Sequence, residues 1–265
     1  MQLGNFLEKG LSWLQYVWDS KTKYKIHSPF VFNFDTKVLE NDFIYPEYKS
    51  IEKFRKILAK DKTVLNVTDL GAGSKTLESS KRTVADILET STKMPKYSQL
   101  QFRIVRYFQS KKIVELGTSL GVTTAYLSKA SNEGQIYTIE GCPEIAAKAK
   151  QHFSQLELSN IIQKIGNFDH VLADVLQEMG SVDMVFFDGN HKHIPTVNYF
   201  EQVLPYCHND TVLIFDDIYW SEEMEEAWAF IKNHERITLT IDIFEMGLAF
   251  LRKESLEKEH FRVWY

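Results

Sequence analysis

The pattern of apolar and polar positions divides the chain into a helical first part and a longer strand–helix alternation. Residues 3–18 place Leu3, Phe6, Leu7, Leu11, Leu14, Val17 and Trp18 at helical spacing. This predicts an amphipathic helix whose apolar face packs on the rest of the protein or pairs two copies as a homodimer. The stretch KIHSPFVFNF (25–34) is aromatic and interrupted by Pro29, which predicts an ordered loop entering another helix. Residues 47–60 predict a helix with Ile51, Phe54, Ile57 and Leu58 on one face, and 79–90 predict another. The run 96–109 carries Tyr97, Leu100, Ile104, Tyr107 and Phe108 on one face and leads straight into a strand.

From residue 113 the pattern changes. Short apolar runs at 113–116, 135–139, 161–165, 182–187 and 211–215 read as strands. Helical runs separate them at 122–129, from Pro143 onward, at 171–179 and at 194–204. The runs 182–187 and 211–215 are nearly all apolar, as strands buried on both faces are. Ser221 caps a further helix whose first turns hold Glu222, Glu223, Glu225 and Glu226, favourable at the positive dipole end and read as a solvated face. Residues 237–244 and 248–253, turning at Met246-Gly247, predict an antiparallel hairpin. The sum is an α/β chain: a Rossmann-like, doubly wound, seven-stranded sheet with a C-terminal antiparallel hairpin and an N-terminal helical extension. The expected division is an accessory extension over 1–90 and a ligand-binding domain over 91–265.

One stretch stands out for chemistry, IVELGTSLGVTTAYLSKASNEGQIYTIEG (113–141). Gly117 and Gly121 flank a tight turn between a strand and a helix, where backbone can approach a ligand and the helix N-terminus meets its polar groups. Glu140 ends the next strand, about 20 residues further on, placed to accept hydrogen bonds from ribose hydroxyls. A rival turn, DLGAGS (69–74), looks more like a nucleoside loop taken alone. No strand ending in an acid follows it before Ile113, so context rejects it as the cofactor turn. Gly117 and Gly121 have three residues between them, not the G-x-G-x-x-G of a dinucleotide site, which favours a nucleoside without phosphates. Two later strand ends also carry acids, Asp188 and Asp216-Asp217.

Composition narrows the partners. Lys+Arg 31 against Asp+Glu 36 gives −5, so no general attraction to nucleic acid or anionic membrane is expected. Cys142 and Cys207 show no paired spacing, which points away from a zinc site or a disulfide framework. The absence of an 18-residue apolar run or an apolar leader makes a cytoplasmic protein without stable membrane insertion the expectation.

VELGTSLGVTTAYL followed by YTIEG resembles the first motifs of class I S-adenosylmethionine-dependent methyltransferases. The nearer similarity, over 94–253, is to O-methyltransferases related to catechol and caffeoyl-CoA O-methyltransferase. The whole chain also resembles methyltransferases of Bacteroidetes-type bacteria that carry an HSPFVF N-terminal extension. The resemblance implies S-adenosylmethionine as cofactor, with Glu115 and Gly117 by its methionine end and Ser119 and Gly121 in the same loop. It implies Glu140 on the ribose hydroxyls, Asn167, Phe168 and Asp169 bordering the adenine, and Asp188 below the sulfonium.

In the related enzymes a divalent cation is held by that last acid and by an Asp-Asn pair after the following strand. Here the pair is Asp216-Asp217, which keeps oxygen coordination suited to magnesium but adds negative charge. Three close carboxylates repel unless a cation or proton intervenes; hydrogen bonding to loop amides is the alternative. His191 falls near the place where the related enzymes often use a lysine to take the hydroxyl proton, and Lys192 and His193 compete for that role. The implied activity is O-methylation of a small-molecule hydroxyl. The alternative is a catalytically inactive nucleoside-binding or scaffolding protein acting through its N-terminal helices.

Overall fold

The computed structural model describes residues 2–68, 81–255 and 257–265. In chain order the first elements are α1 Gln2–Asp19, α2 Pro29–Phe34, α3 Pro46–Leu58, β1 Val64–Asn66, β2 Lys81–Thr83, α4 Val84–Ser91 and α5 Pro95–Phe108. The alternation follows as β3 Lys112–Leu116, α6 Val122–Ala130, β4 Gln135–Glu140, α7 Pro143–Gln155, β5 Ile161–Ile165, α8 Phe168–Met179 and β6 Val182–Phe187. It ends with α9 His193–Val203, β7 Cys207–Asp216, α10 Glu222–Asn233, β8 Leu239–Asp242, β9 Met246–Phe250 and β10 Glu259–Arg262. These elements form two compact units, one of residues 42–180 and one of 1–41 with 181–265.

In the unit 42–180, strands β3, β4 and β5 run parallel, with Glu115 opposite Thr138 and Glu140 opposite Ile165. Beyond their first residues β3 and β4 are almost wholly buried, as apolar parallel strands are. Tyr48, Ile51, Phe54 and Leu58 of α3 share one core with Val84, Ile87, Phe102, Leu120, Val122 and Tyr126. Part of the helical extension is thus built into the same core as the glycine turn. Ile57, expected on that face, is exposed: it lies nine residues past Tyr48, roughly 180° around the helix.

The 79–90 run starts its helix later, at Val84, because Thr83 and Asp86 form a reciprocal capping box. The three residues before Val84 pair instead with β1 in an antiparallel ladder, a strand pair too short to show period-2 patterning and missed in the sequence. The DLGAGS turn lies outside the described residues.

In the unit of 1–41 and 181–265 the strand order is β10-β8-β9-β7-β6. β6 and β7 are parallel, and β9 runs antiparallel to both β7 and β8. The hairpin is as expected, but its turn falls at residues 243–245. There Phe244 adopts φ +69° and donates its N–H to Asp242 Oδ1 at 2.9 Å. Gly247 sits inside β9 because the Trp228 ring lies over it, 2.7 Å from where a Cβ would stand. An added strand, β10, runs parallel to β8; the three strands of the other unit and these five make eight where seven are expected. Parallel strands joined by helices and closed by an antiparallel hairpin give the mixed α/β, Rossmann-like class.

Pro29 does not interrupt this unit's N-terminal segment but starts α2, occupying a first-turn position where its missing N–H costs nothing. On α1, Tyr16 is buried and donates its hydroxyl to the Val263 carbonyl at 2.6 Å, while Leu14 and Trp18 are 59% and 89% exposed. The described part of the apolar stripe therefore faces away from its own unit; the side chains of Leu3, Phe6, Leu7 and Leu11 lie outside the described residues. Among the described residues no helix is long and apolar enough to cross a membrane.

An ion pair ties the end of the α3 segment to α7: Lys148 Nζ lies 2.8 Å from Asp61 Oδ2. Burial works to raise the Asp61 pKa. Hydrogen bonds from Lys148 and Thr63, with the Lys148 charge, outweigh it and bring the carboxyl from 3.8 to about 2. A depressed folded-state pKa stabilises above the ordinary value, and that stability is lost as pH falls through the folded one. Lys148→Met is therefore expected to cost about 1 kcal/mol at pH 7. In urea titrations the gap from the unaltered protein should close between about pH 4 and 2. A gap independent of pH would show that the pair contributes nothing.

Candidate cofactor and acceptor sites

The glycine turn follows β3 in the unit 42–180. Three of its five residues have positive φ: Gly117 at +107°, Ser119 at +46° and Gly121 at +77°. At Gly121 space as well as conformation demands glycine, since a Cβ would stand 2.4 Å from Cε1 of Phe153 on α7. The Gly117 and Thr118 N–H groups donate to the Ile139 carbonyl at 3.0 and 3.3 Å, which fastens the turn to the end of β4. Glu140 completes the fastening. Its Oε2 accepts the Ser119 N–H at 2.8 Å and its Oε1 accepts the Cys142 N–H at 2.9 Å. A carboxylate has about four acceptor positions. Partly exposed Glu140 therefore anchors two loops.

Beneath the turn, Glu115 is fully buried. Its Oε2 accepts from Thr124 Oγ1 at 2.5 Å and from Thr138 Oγ1 at 2.6 Å, and Thr118 and Thr138 are 2.6 Å apart. Thr138 gives its hydrogen to Glu115, so Thr118 must donate to Thr138. The implied contact of Glu115 with a cofactor's methionine end is accompanied here by a bond set that holds the turn from below. None of these threonines was singled out in the sequence. The usable signal was polarity: Glu115 and Thr138 interrupt apolar strands, and buried polar groups need partners.

The third strand end joins the first two. Gly166, after β5, donates its N–H to the Glu140 carbonyl at 2.9 Å. Asn167 then caps α8, its side chain accepting the Asp169 N–H at 3.1 Å, so α8 starts at Phe168 rather than 171. Asn167 and Phe168 are half-buried and Asp169 is exposed. Glu115, Gly117, Ser119, Gly121, Glu140, Asn167, Phe168 and Asp169 thus gather at the carboxyl ends of three adjacent parallel strands, where such sheets bind ligands.

The other candidates lie in the unit of 1–41 and 181–265. His191 Nε2 stands 3.7 Å from Asp188 Oδ1, and each side chain is about one-fifth exposed. That distance is an ion-pair approach rather than a hydrogen bond. The competing bases are placed elsewhere. His193 donates its N–H to Glu223 at 3.2 Å and turns Nδ1 toward Glu226 at 3.8 Å, while Lys192 is exposed at the start of α9. Asn190, with φ +53°, donates to the Tyr199 hydroxyl at 3.2 Å and shapes the loop that carries His191.

Asp216 is fully buried at the end of β7. Asp217 is half-buried at φ +53° and donates its N–H to the Glu245 carbonyl at 2.9 Å. Among the described residues no three His, Cys, Asp or Glu side chains stand together so as to hold a metal ion. Asp188, Asp216 and Asp217 as they stand therefore do not form the expected magnesium cradle. The sequence reading also missed the wall beside Asp217. Trp220, whose N–H bonds the Asp217 carbonyl at 2.9 Å, is 38% exposed, and Lys9 of α1 lies 5.6 Å from its ring centroid.

The turn analysis makes one substitution decisive. Gly121→Ala must displace the Phe153 ring and hold alanine at φ +77°, a combined penalty of about 2–4 kcal/mol on global stability. Chemical denaturation measures it, and a loss under about 0.5 kcal/mol would mean that the turn tolerates a side chain.

Residues 114–218 match the family described as a methyltransferase domain. A catechol O-methyltransferase of Niastella koreensis is 28% identical over 134 residues, 49% of this chain and 58% of that protein. A protein-L-isoaspartate O-methyltransferase of Methylobacillus flagellatus is 34% identical over 84 residues, 32% of this chain and 35% of that protein. The chain thus spans less than two thirds of either relative. The SAH-bound methyltransferase of Podospora anserina superposes with a TM-score of 0.60 at 13% identity, over 86% of this chain and 97% of its own. An O-methyltransferase of Bacillus cereus in complex with SAH gives 0.55 at 16% identity, over 84% and 97%. These structural likenesses show the shared fold. Residues 114–218 are thus similar to a methyltransferase domain, and the chain resembles, over about half its length, a catechol O-methyltransferase.

Proposed function

We propose that the protein transfers a methyl group from S-adenosylmethionine to the hydroxyl of a small molecule. The observation that carries the reading is the glycine turn fastened to Glu140 by the Ser119 N–H, at the carboxyl ends of β3, β4 and β5. Such a turn presents backbone, an acid for ribose hydroxyls and, at Phe168, an aromatic edge for a base. The similarity of residues 114–218 to a methyltransferase domain, and of the chain to a catechol O-methyltransferase, supports the choice of cofactor. Residues 1–90 are, on this reading, the accessory part and 91–265 the methyl-transfer part.

S-adenosylmethionine supplies, when bound, an electrophilic methyl on a positive sulfur. Gly117, Ser119 and Gly121 would line its backbone side, Glu140 would hold the ribose, and Asn167, Phe168 and Asp169 would border the adenine. Asp188 would offer negative charge to the sulfonium. The acceptor oxygen would bond to the methyl carbon as the methyl–sulfur bond breaks and leaves its electron pair on sulfur. His191 would take the hydroxyl proton, and Asp188, 3.7 Å away, would face the imidazolium so formed. Trp220 and Lys9 would flank the acceptor, and orientation would supply most of the rate gain. No step is routed through magnesium. The exposed Leu14 and Trp18 of α1 suit a homodimer contact between copies.

Calorimetric titration with S-adenosylmethionine and with its demethylated product tests the cofactor assignment; sub-millimolar binding is expected, and no binding of either would sink it. Tight binding with no turnover over a broad acceptor panel would favour the scaffolding alternative. His191→Ala is expected to lower kcat about 100-fold or more with cofactor affinity kept, and full activity would move the base elsewhere. Thorough chelation is expected to leave the rate unchanged; a loss restored by magnesium would bring the metal back.

A further inference from the structure

We propose that His152, on α7, is a positioning residue for the glycine turn and links the packing of α3 to it. The inference takes from the methyltransferase reading only the identity of the ligand. His152 is 2% exposed, and its Nδ1 lies 2.9 Å from the carbonyl oxygen of Leu120. A carbonyl can only accept, so Nδ1 carries the hydrogen and the tautomer is fixed. Leu120 directly follows Ser119, whose N–H reaches Glu140, and directly precedes Gly121, which the neighbouring Phe153 ring confines. Two consecutive side chains of α7 therefore brace one turn, one by a hydrogen bond and one by contact.

On its other side the imidazole meets the Phe54 ring of α3 edge-on, with centroids 5.0 Å apart and planes at 72°. Leu120 and Phe54 belong to one buried core, so water has little access to the bond. Burial, with the nearby Lys148 charge, pushes the His152 pKa down against the Leu120 carbonyl and Asp61, which favours the neutral ring. Among the described residues, the donor to the Leu120 carbonyl is this side chain of α7. If it is removed, the Leu120 carbonyl is left buried without that donor. The cheapest relief is a shift of the turn, which carries the Ser119 N–H away from Glu140.

Three substitutions separate positioning from simple packing. His152→Leu fills the space without a donor. His152→Asn restores an N–H near the place of Nδ1, and His152→Gln carries its N–H further out. The Kd for S-adenosylmethionine and for its demethylated product, measured by calorimetry well below each Tm, should rise about tenfold in the Leu variant. It should return to within about twofold in the Asn variant, with the acceptor KM unchanged throughout. A folded Leu variant with unaltered Kd, or equal Kd values for the Asn and Gln variants, would overturn the proposal. The Asn–Gln comparison also decides the matter if the Leu variant does not fold. Amide hydrogen exchange at Ser119 reads the same bond in the ligand-free protein, and it should quicken in the Gln variant relative to Asn. Equal exchange would also overturn the proposal. A protein that binds neither nucleoside yet shows this exchange difference would refute the methyltransferase reading and leave the brace standing.

Discussion

Two backbone N–H groups on one carboxylate hold the turns of the unit 42–180 in place. Glu140 accepts from Ser119 in the turn after β3 and from Cys142 in the turn after β4, so two loops from neighbouring strands share one anchor. Hydrogen bonds to an ionised acceptor are about twice as strong as neutral ones, which helps Ser119 hold a left-handed conformation usually left to glycine. Gly117 and Gly121 then absorb the remaining curvature. From below, Glu115 and its threonines prevent the turn from sinking into the sheet. The cradle is held by charge above and by buried hydroxyls beneath.

What the sequence revealed followed how local each cause was. The apolar runs of β3 to β7 and the turn glycines were legible because burial and positive φ act on single residues. Glu140 was legible because a strand end is a fixed place. The Glu115–Thr138 bond was not, since it depends on the register that sets these residues opposite each other. β1 and β10, three and four residues long, have no period to read. Pro29 was misread because the same residue that breaks a helix interior starts a helix at its first turn. Among His191, Lys192 and His193, spacing could not choose; in the structure Asp188 stands beside His191, and Glu223 and Glu226 engage His193.

The expected metal ligands do not stand together among the described residues, for a related reason. Consecutive residues at a strand end point to opposite faces, so neighbours in sequence need not converge in space. Asp216 continues β7 into the interior opposite Met246, whereas Asp217 leaves the strand at positive φ. A motif match carries residue types, while chelation needs directions. The change from an amide to a second carboxylate had already raised the electrostatic cost of such a cradle.

The extension, residues 1–90, is divided between the two units. Its α3 and α4 residues complete the core that contains Leu120 of the glycine turn, and the Asp61–Lys148 pair fastens that segment to α7. Its first helix belongs to the other unit, where Ser12 bonds Glu225 and Lys9 approaches Trp220 beside Asp217. One end of the extension therefore bears on the residues proposed to hold the cofactor, and the other on those proposed to meet the acceptor. Removing it would take core side chains from beneath the glycine turn in one unit and a cation from beside the Trp220 ring in the other.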